Sequence, residues 1–158
     1  MRLRVSTDLD CSPERAWTLT LSTAPLNRLT APLLVFEPID PDPLPTVWAD
    51  GGRYLVRLWA LGVVPLGTHR IETSVTRFDA TPGERTYCLR DDGHGDLAGR
   101  WDHRMTVEEQ WDGRTRYTDD VRIEAGVLTV FLWLGAHVLY RYRQYRLRDA
   151  LVSGTDDN

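Results

Sequence analysis

Apolar and polar positions divide this chain into alternating segments followed by one long helical segment. Residues 2–9 alternate and predict a first strand. Ser12 and Pro13 then suit the N-cap and the first position of a short helix. A second short helix is expected over residues 25–29, ahead of the next proline. The chain therefore begins with one strand and two short helices.

The middle of the chain predicts a run of antiparallel strands. A strand over 33–37 is followed by a loop that holds four of the nine prolines, and proline cannot donate to a β-ladder. We expect these prolines outside the sheet: Pro38, Pro41, Pro43 and Pro45. Trp111-Asp112-Gly113 is predicted to be a three-residue hairpin loop with left-handed Gly113. The remaining strands are expected at 53–61, 68–78, 85–90, 98–111 and 114–124.

Residues 125–157 contain a long proline-free stretch, apolar at first and rich in arginine later. It is the only element long enough to cover one face of the sheet. The predicted fold class is therefore α+β: a curved antiparallel sheet wrapped around a long C-terminal helix, with two short helices after strand 1. We expect one domain over 1–152 and a disordered tail over 153–158.

Several motifs occur in an order that resembles a known superfamily. They are DCSPERAW after strand 1, LWALGVVPLGTHRI across the central hairpin, GDLAGRWDHRM at a strand start, TRYTDDVRIEAGVL before the last helix, and YRYRQYRLRDAL within it. Together they resemble the SRPBCC, or START-like, helix-grip superfamily, which includes polyketide cyclases and lipid-transfer domains. The resemblance implies an internal apolar cavity that holds a lipid, a polyketide or another hydrophobic molecule.

Strand alternation indicates which side chains face the interior of such a fold. In the strand at 98–111 the odd positions are the more apolar ones, and the same face continues across the next hairpin. The predicted ligand-binding residues on the sheet are Trp101, His103, Met105, Tyr117, Asp119 and Val121, with His69 and Ile71 on the strand at 68–78.

His103 and Asp119 break this apolar pattern. The hairpin loop places Asp119 opposite Met105 and diagonal to His103, within side-chain reach. A buried carboxylate needs a partner, and His103 is the candidate. Three interpretations stay open: a polar anchor for a ligand, a catalytic acid/base pair, or a structural pair that fixes strand register.

The last helix carries an aromatic and aliphatic stripe at three- and four-residue steps. We expect this stripe to form the second cavity wall; its members are Phe131, Leu134, Val138, Tyr142 and Tyr145, and the first four are predicted ligand-binding residues. His137 is expected on the outer face. The arginines of the second half are expected to be solvated near the helix C-terminus: Arg141, Arg143, Arg146 and Arg148.

Two segments are more apolar than the fold requires. The hairpin tip at 58–67 could be a cavity lid, an oligomer contact or a membrane-touching loop, or it could be covered by other loops. The helix segment 126–134 is apolar nearly all round, for which a homodimer interface is the simplest hypothesis.

Composition narrows the classes of partner and chemistry. A net charge of −4 argues against nucleic-acid binding. All 19 basic residues are arginine, so Schiff-base chemistry on lysine is excluded. Cys11 and Cys88 lack metal-type spacing, and two reduced thiols are favoured over a disulfide.

The N-terminus has no signal-peptide core, which favours a cytoplasmic protein. The apolar run at 126–140 is too short for stable membrane insertion. We expect no cofactor and no metal.

The leading functional hypothesis is binding or transport of a small hydrophobic ligand by a non-enzymatic protein. The first alternative is an enzyme of the polyketide cyclase or dehydratase type in which His103 and Asp119 move protons. The second is a protein-interaction module with a vestigial pocket. The sequence holds no nucleophile elbow or Gly-rich phosphate loop that would favour another reaction class.

Overall fold

A computed structural model describes residues 1–78 and 85–153. Within these residues lie three α-helices, α1 (Pro13–Leu21), α2 (Pro25–Thr30) and α3 (Thr129–Ser153), with a 3-10 turn at Gly126–Leu128 before α3. The strands are β1 (Arg2–Leu9), β2 (Leu34–Asp40), β3 (Arg53–Ala60), β4 (Val64–Phe78), β5 (Thr86–Gly95), β6 (Arg100–Glu109) and β7 (Thr115–Glu124). Of the predicted tail at 153–158, only Ser153 is described, and it ends α3.

The strands form one curved antiparallel sheet in the order β1-β7-β6-β5-β4-β3-β2. Each strand from β2 to β7 pairs with its sequence neighbour, and β1 closes the series by pairing with β7. α3 packs against β1 and β7 and also contacts α2. The predicted helix-grip architecture is confirmed, with two short helices after strand 1 and one long helix at the C-terminus.

The first helix begins where its residues predict. The side chain of Ser12 accepts a hydrogen bond from the backbone N–H of Arg15 at 3.3 Å, and Pro13 occupies the first helical turn. This contact satisfies one of the amide groups that a helix start leaves without a partner. α1 then buries Trp17 against Tyr87 of β5, with the two rings stacked 5.3 Å apart. The helix is thereby fixed over the end of the sheet.

The proline-rich segment enters the sheet further than predicted. Pro38 lies within β2 opposite Val56, and a register shift follows it. β2 is the last strand of the sheet, and an edge strand tolerates a residue that cannot donate to a second neighbour. The expectation that Pro38 lies outside the sheet was therefore wrong, because the rule that excludes proline applies to central strands.

The bounds of the central strands also differ from those predicted. β5 continues to Gly95, five residues beyond the predicted end, through the sequence DDGHG. β6 is shorter than the predicted 98–111 strand. The hairpin between β6 and β7 is closed by a hydrogen bond from Gln110 N–H to the Arg114 carbonyl, and Gly113 has a positive φ of 79° as expected. The predicted register is confirmed, since Asp119 lies opposite Met105.

The main correction to the predicted fold concerns which side of α3 faces the sheet. The helix buries Ala136, Tyr140, Gln144, Leu147 and Leu151, which follow one another at three- and four-residue steps. The predicted stripe lies on the opposite side, and most of it is exposed: Phe131, Leu134, Val138 and Tyr145. Both sides of this helix are apolar, so hydrophobicity alone could not decide which one faces the sheet.

No helix in the described part of the chain is long and apolar enough to cross a membrane.

Candidate functional site

A cavity of about 500 Å³ lies between the concave face of the sheet, α2 and α3. Its lining is mostly apolar and includes Leu29 of α2, Leu58 of β3 and Leu139 of α3. Phe131 and Val138 also line it although their side chains are largely exposed, so the cavity opens beside α3. A cavity of this size is in the range of small-molecule sites.

Eight of the twelve predicted ligand-binding residues line this cavity. They are His69, Ile71, Trp101, His103, Met105, Tyr117, Phe131 and Val138. The other four do not: Asp119 and Val121 are fully buried beneath the cavity surface, Leu134 is exposed on the far side of α3, and the Tyr142 hydroxyl donates to the Ala31 carbonyl at 2.9 Å. Whether the eight contact a ligand stays a prediction.

The predicted contact between His103 and Asp119 is present. His103 Nε2 lies 2.8 Å from Asp119 Oδ1, and both side chains are buried. Oδ1 also accepts hydrogen bonds from the Tyr117 hydroxyl and from Arg143 Nη1, while Oδ2 accepts from Gln144 Nε2 at 3.0 Å. Asp119 thus has four donors drawn from β6, β7 and α3, and it ties the helix to the sheet.

These donors determine the charge states of the pair. Burial alone raises the pKa of Asp119, but the positive charge of Arg143 and the hydrogen bonds from His103 and Gln144 outweigh it and keep that pKa below its usual value. Asp119 is therefore ionised and can only accept. The His103 nitrogen that faces it, Nε2, must carry the hydrogen, which leaves Nδ1 as an acceptor. Burial lowers the pKa of His103, so the ring is neutral near pH 7.

Arg143 is the site residue that sequence reasoning placed wrongly. It was expected to be solvated, but only 13% of its side chain is exposed and it lines the cavity. Its guanidinium binds Asp119, lies over the ring of Tyr117 and contacts the Met105 sulfur. The physical reason is the buried carboxylate of Asp119, which requires a cation. The spacing of Arg143 from Ala136, Tyr140 and Leu147 was the available signal.

A second histidine and carboxylate pair lies on the cavity wall. Asp91 of β5 pairs in register with His103, and its Oδ2 lies 4.0 Å from His69 Nε2 on β4. Burial raises the pKa of Asp91 to about 8 and lowers the pKa of His69 to about 4. Both groups are neutral near pH 7, so this contact is not an ion pair. Sequence reasoning missed Asp91 because it assigned the segment after residue 90 to a turn.

Gly93 makes room for this second pair. A Cβ atom at position 93 would lie 2.7 Å from His69 Nε2 and 2.9 Å from Asp91 Oδ1. A side chain at this position would therefore displace both polar groups. The glycines that suggested a turn in the sequence instead lie within β5 and allow the polar side chains of β4 and β5 to approach each other.

Apolar side chains are also exposed next to the cavity. The tip of the β3–β4 hairpin exposes Leu61, Val63 and Val64, whereas Leu58 and Leu66 of the same hairpin line the cavity. The described loops therefore leave the tip uncovered.

His137 is absent from the cavity lining and contacts Arg141 and the ring of Trp133.

The remaining candidate groups do not form a metal site within residues 1–78 and 85–153, where no cluster of three or more ligating side chains occurs. Cys11 and Cys88 are both free thiols. The polar side chains that line the cavity include His69, Asp91, His103 and Arg143, together with hydroxyls such as that of Tyr140. They can bind or orient a ligand and can exchange protons with it.

No family model matches the sequence, and no curated protein matches it. Solved structures do match. A protein from Thermus thermophilus is 13% identical with a TM-score of 0.64, covering 99% of this chain and 100% of that chain. The AHSA1 protein from Silicibacter pomeroyi is 16% identical with a TM-score of 0.60, covering 98% and 99%. A START superfamily protein from Mycobacterium smegmatis is 12% identical with a TM-score of 0.57, covering 96% and 97%.

Identities this low show the fold, and the fold agrees with the strand order and the helix position described above. This chain has the START-like (SRPBCC) helix-grip fold.

Proposed function

We propose that this protein binds a small hydrophobic molecule in the cavity between the sheet and α3. The observation that carries the proposal is the cavity itself: about 500 Å³, lined mainly by aliphatic and aromatic side chains and open beside Phe131 and Val138. This volume favours an occupied cavity over the alternative of an interaction module with a vestigial pocket. The START-like fold is compatible with such a role. A homodimer and a cytoplasmic location remain proposals that rest on the sequence.

The proposal is tested first by identifying what the protein carries. Purified protein is extracted with organic solvent, and the extract is compared by mass spectrometry with that of an unrelated protein purified in the same way. A compound found at a near-stoichiometric amount supports the proposal. A protein that carries nothing and also fails to bind the neutral fluorescent ketone prodan would contradict it.

A side chain placed in the cavity mouth is expected to block binding. Gly135 of α3 lines the cavity, and a Cβ atom there would meet no other atom within 4 Å. Gly135→Trp therefore fits the fold and is expected to weaken prodan binding by about tenfold or more, because ring and ligand compete for the same space. Fluorescence titration measures the affinity.

Leu134→Trp is the matched control. It adds the same ring one residue earlier on α3, at an exposed position outside the cavity lining. Its affinity for prodan should stay close to that of the unchanged protein. Equal loss in both variants would place binding on the outer surface of α3 and would overturn the cavity as the site.

An acid/base enzyme is the second candidate function, favoured by one observation. His103 is held by ionised Asp119 through Nε2, and its Nδ1 has no hydrogen-bond partner among the described residues. A neutral imidazole oriented by a carboxylate is suited to accept a proton. If the protein cyclises or dehydrates a model poly-β-ketone, His103→Ala should abolish turnover while the variant stays folded by circular dichroism. Equal turnover by both proteins would remove this candidate.

A further inference from the structure

The pair formed by His69 and Asp91 is not explained by the needs of folding. Asp119 has four donors, whereas Asp91 has one, the backbone N–H of Glu72, which donates to Oδ1 at 3.0 Å. The nearest polar group to Asp91 Oδ2 is His69 Nε2 at 4.0 Å, beyond hydrogen-bond distance. A carboxyl group with a free oxygen thus lines an apolar cavity. None of the described residues lies within hydrogen-bond distance of this oxygen.

The proton on Asp91 gives this free oxygen a defined role. Burial raises the pKa of Asp91 to about 8, so the carboxyl is protonated at neutral pH. Oδ1 already accepts from Glu72 N–H, which places the proton on Oδ2. A protonated carboxyl oxygen is a hydrogen-bond donor. The group that completes this bond must therefore be an acceptor.

The charges around the cavity exclude a charged partner. Arg143 is compensated by Asp119, to which it is directly bound. His69 and His103 are neutral, because burial lowers both pKa values. A ligand carboxylate or ammonium would bring an uncompensated charge into an apolar space, at a large desolvation cost. The cavity wall is suited to an uncharged ligand that carries one polar group.

We propose that Asp91 donates a hydrogen bond to a carbonyl-type oxygen of the bound ligand, and that the cavity selects neutral apolar ketones or related carbonyl compounds over fatty acids. This inference rests on the proposed function and adds the class of ligand. It also assigns a binding role to a residue of β5 that lines the cavity. His69, which is neutral near pH 7, places no charge beside the carboxyl group.

The test compares two matched probes on the unchanged protein and on variants. Prodan carries a ketone, and its propyl analogue has CH2 in place of the carbonyl; dodecanoate serves as a charged competitor. Asp91→Ala removes the donor. Asp91→Asn keeps an oxygen for Glu72 N–H and presents an amide donor to the ligand, but it cannot titrate. Asp92→Ala, at the exposed neighbouring position, removes the same kind of side chain outside the cavity.

At pH 6.5 prodan should bind the unchanged protein about five- to tenfold more tightly than it binds Asp91→Ala, as expected for one neutral hydrogen bond. Asp91→Asn should restore most of this difference, and Asp92→Ala should show none of the loss. The propyl analogue should bind all four proteins alike. Dodecanoate should compete poorly.

The preference for the ketone should also disappear as pH rises through about 8, because ionised Asp91 cannot donate. The titratable groups that face Asp91 are His69 and Glu72 on β4, Asp92 on β5, Asp102 and His103 on β6, and Tyr140 and Arg143 on α3. Among those whose pKa is shifted, Asp91 is the one expected to titrate between pH 6.5 and 9.5. Asp91→Asn should therefore keep its preference across this range.

Equal binding of prodan and its propyl analogue by the unchanged protein would overturn the inference while leaving the proposed function intact. Tighter binding of dodecanoate than of prodan would overturn it as well. Failure of both neutral probes to bind at all would instead contradict the proposed function. The two ideas are thus separated by the comparison between probes.

Discussion

Replacing Asp119 by alanine should lower the free energy of unfolding by about 3–5 kcal/mol, the cost typical of removing one partner from a buried ion pair. The reason is that Arg143, mostly buried on α3, would lose its compensating carboxylate, and His103, Tyr117 and Gln144 would lose an acceptor. Urea unfolding followed by tryptophan fluorescence and circular dichroism measures the loss.

Two further variants make this result specific. Asp8→Ala removes a carboxylate from an exposed pair with Arg116, near one end of the same β1–β7 ladder, and should cost far less. A double variant, Asp119→Leu with Arg143→Met, removes both charges and should be more stable than Asp119→Ala alone. A single variant that loses less than about 1 kcal/mol would show that the pair is not buried as described.

The architecture of this protein could be predicted because several independent signals agree. Alternation gave the inward faces of β6 and β7, including the unusual Asp119, and the hairpin loop gave the register that brings it to His103. The Ser12 cap gave the start of α1. In each case the signal is local: a period of two, a turn of known length, or a side chain bonded to its own helix.

The predictions that were wrong concern features that depend on contacts between distant segments. The orientation of α3 was predicted from its most apolar stripe, but the buried side contains Gln144 and Arg143, whose burial makes sense only once Asp119 lies opposite them. Asp91 was missed because Gly93 and Gly95 indicate a turn when read alone. Their lack of a side chain is required by His69 and by the backbone of β4 on the neighbouring strand. Spacing within α3 places Arg143 on the same side as Ala136, Tyr140 and Leu147, but only contacts with other segments decide that this side is buried.

Stability should be highest near pH 6.5 and should fall as pH rises toward 8. Asp91 has a pKa raised to about 8 when folded, against an ordinary value of 3.8, so between these values the folded state holds a proton that the unfolded state has released. Stability therefore decreases with rising pH over this interval. His69 acts in the opposite sense, since its folded pKa of about 4 is below the ordinary 6.5, and stability is gained as pH rises between these two values.

The effects of Asp91 and His69 on stability oppose each other up to about pH 7.5. Burial also lowers the pKa of His103, so the effect of His103 on stability adds to the effect of His69. Asp91 acts alone among these three only above about pH 7.5, because the histidines of the unfolded chain still release protons around pH 6.5. Asp91 by itself lowers the free energy of unfolding by about 1.6 kcal/mol between pH 6.5 and 8, and the two histidines offset about half of this loss. Urea unfolding at half-unit steps from pH 4.5 to 9 measures the profile.

The comparison with Asp91→Asn isolates the carboxyl group. This variant keeps the acceptor for Glu72 N–H and cannot ionise, so its stability should not fall between pH 6.5 and 8 and should rise slightly as the histidines of the unfolded chain lose their protons. Parallel profiles for the two proteins over that interval would mean that Asp91 is ionised when folded and cannot donate a hydrogen bond to a ligand. A falling profile confined to the unchanged protein would instead show that the fold keeps a neutral carboxyl group on its cavity wall. Because such a group weakens the empty protein above pH 6.5, a ligand that accepts its proton in a hydrogen bond should recover part of that stability.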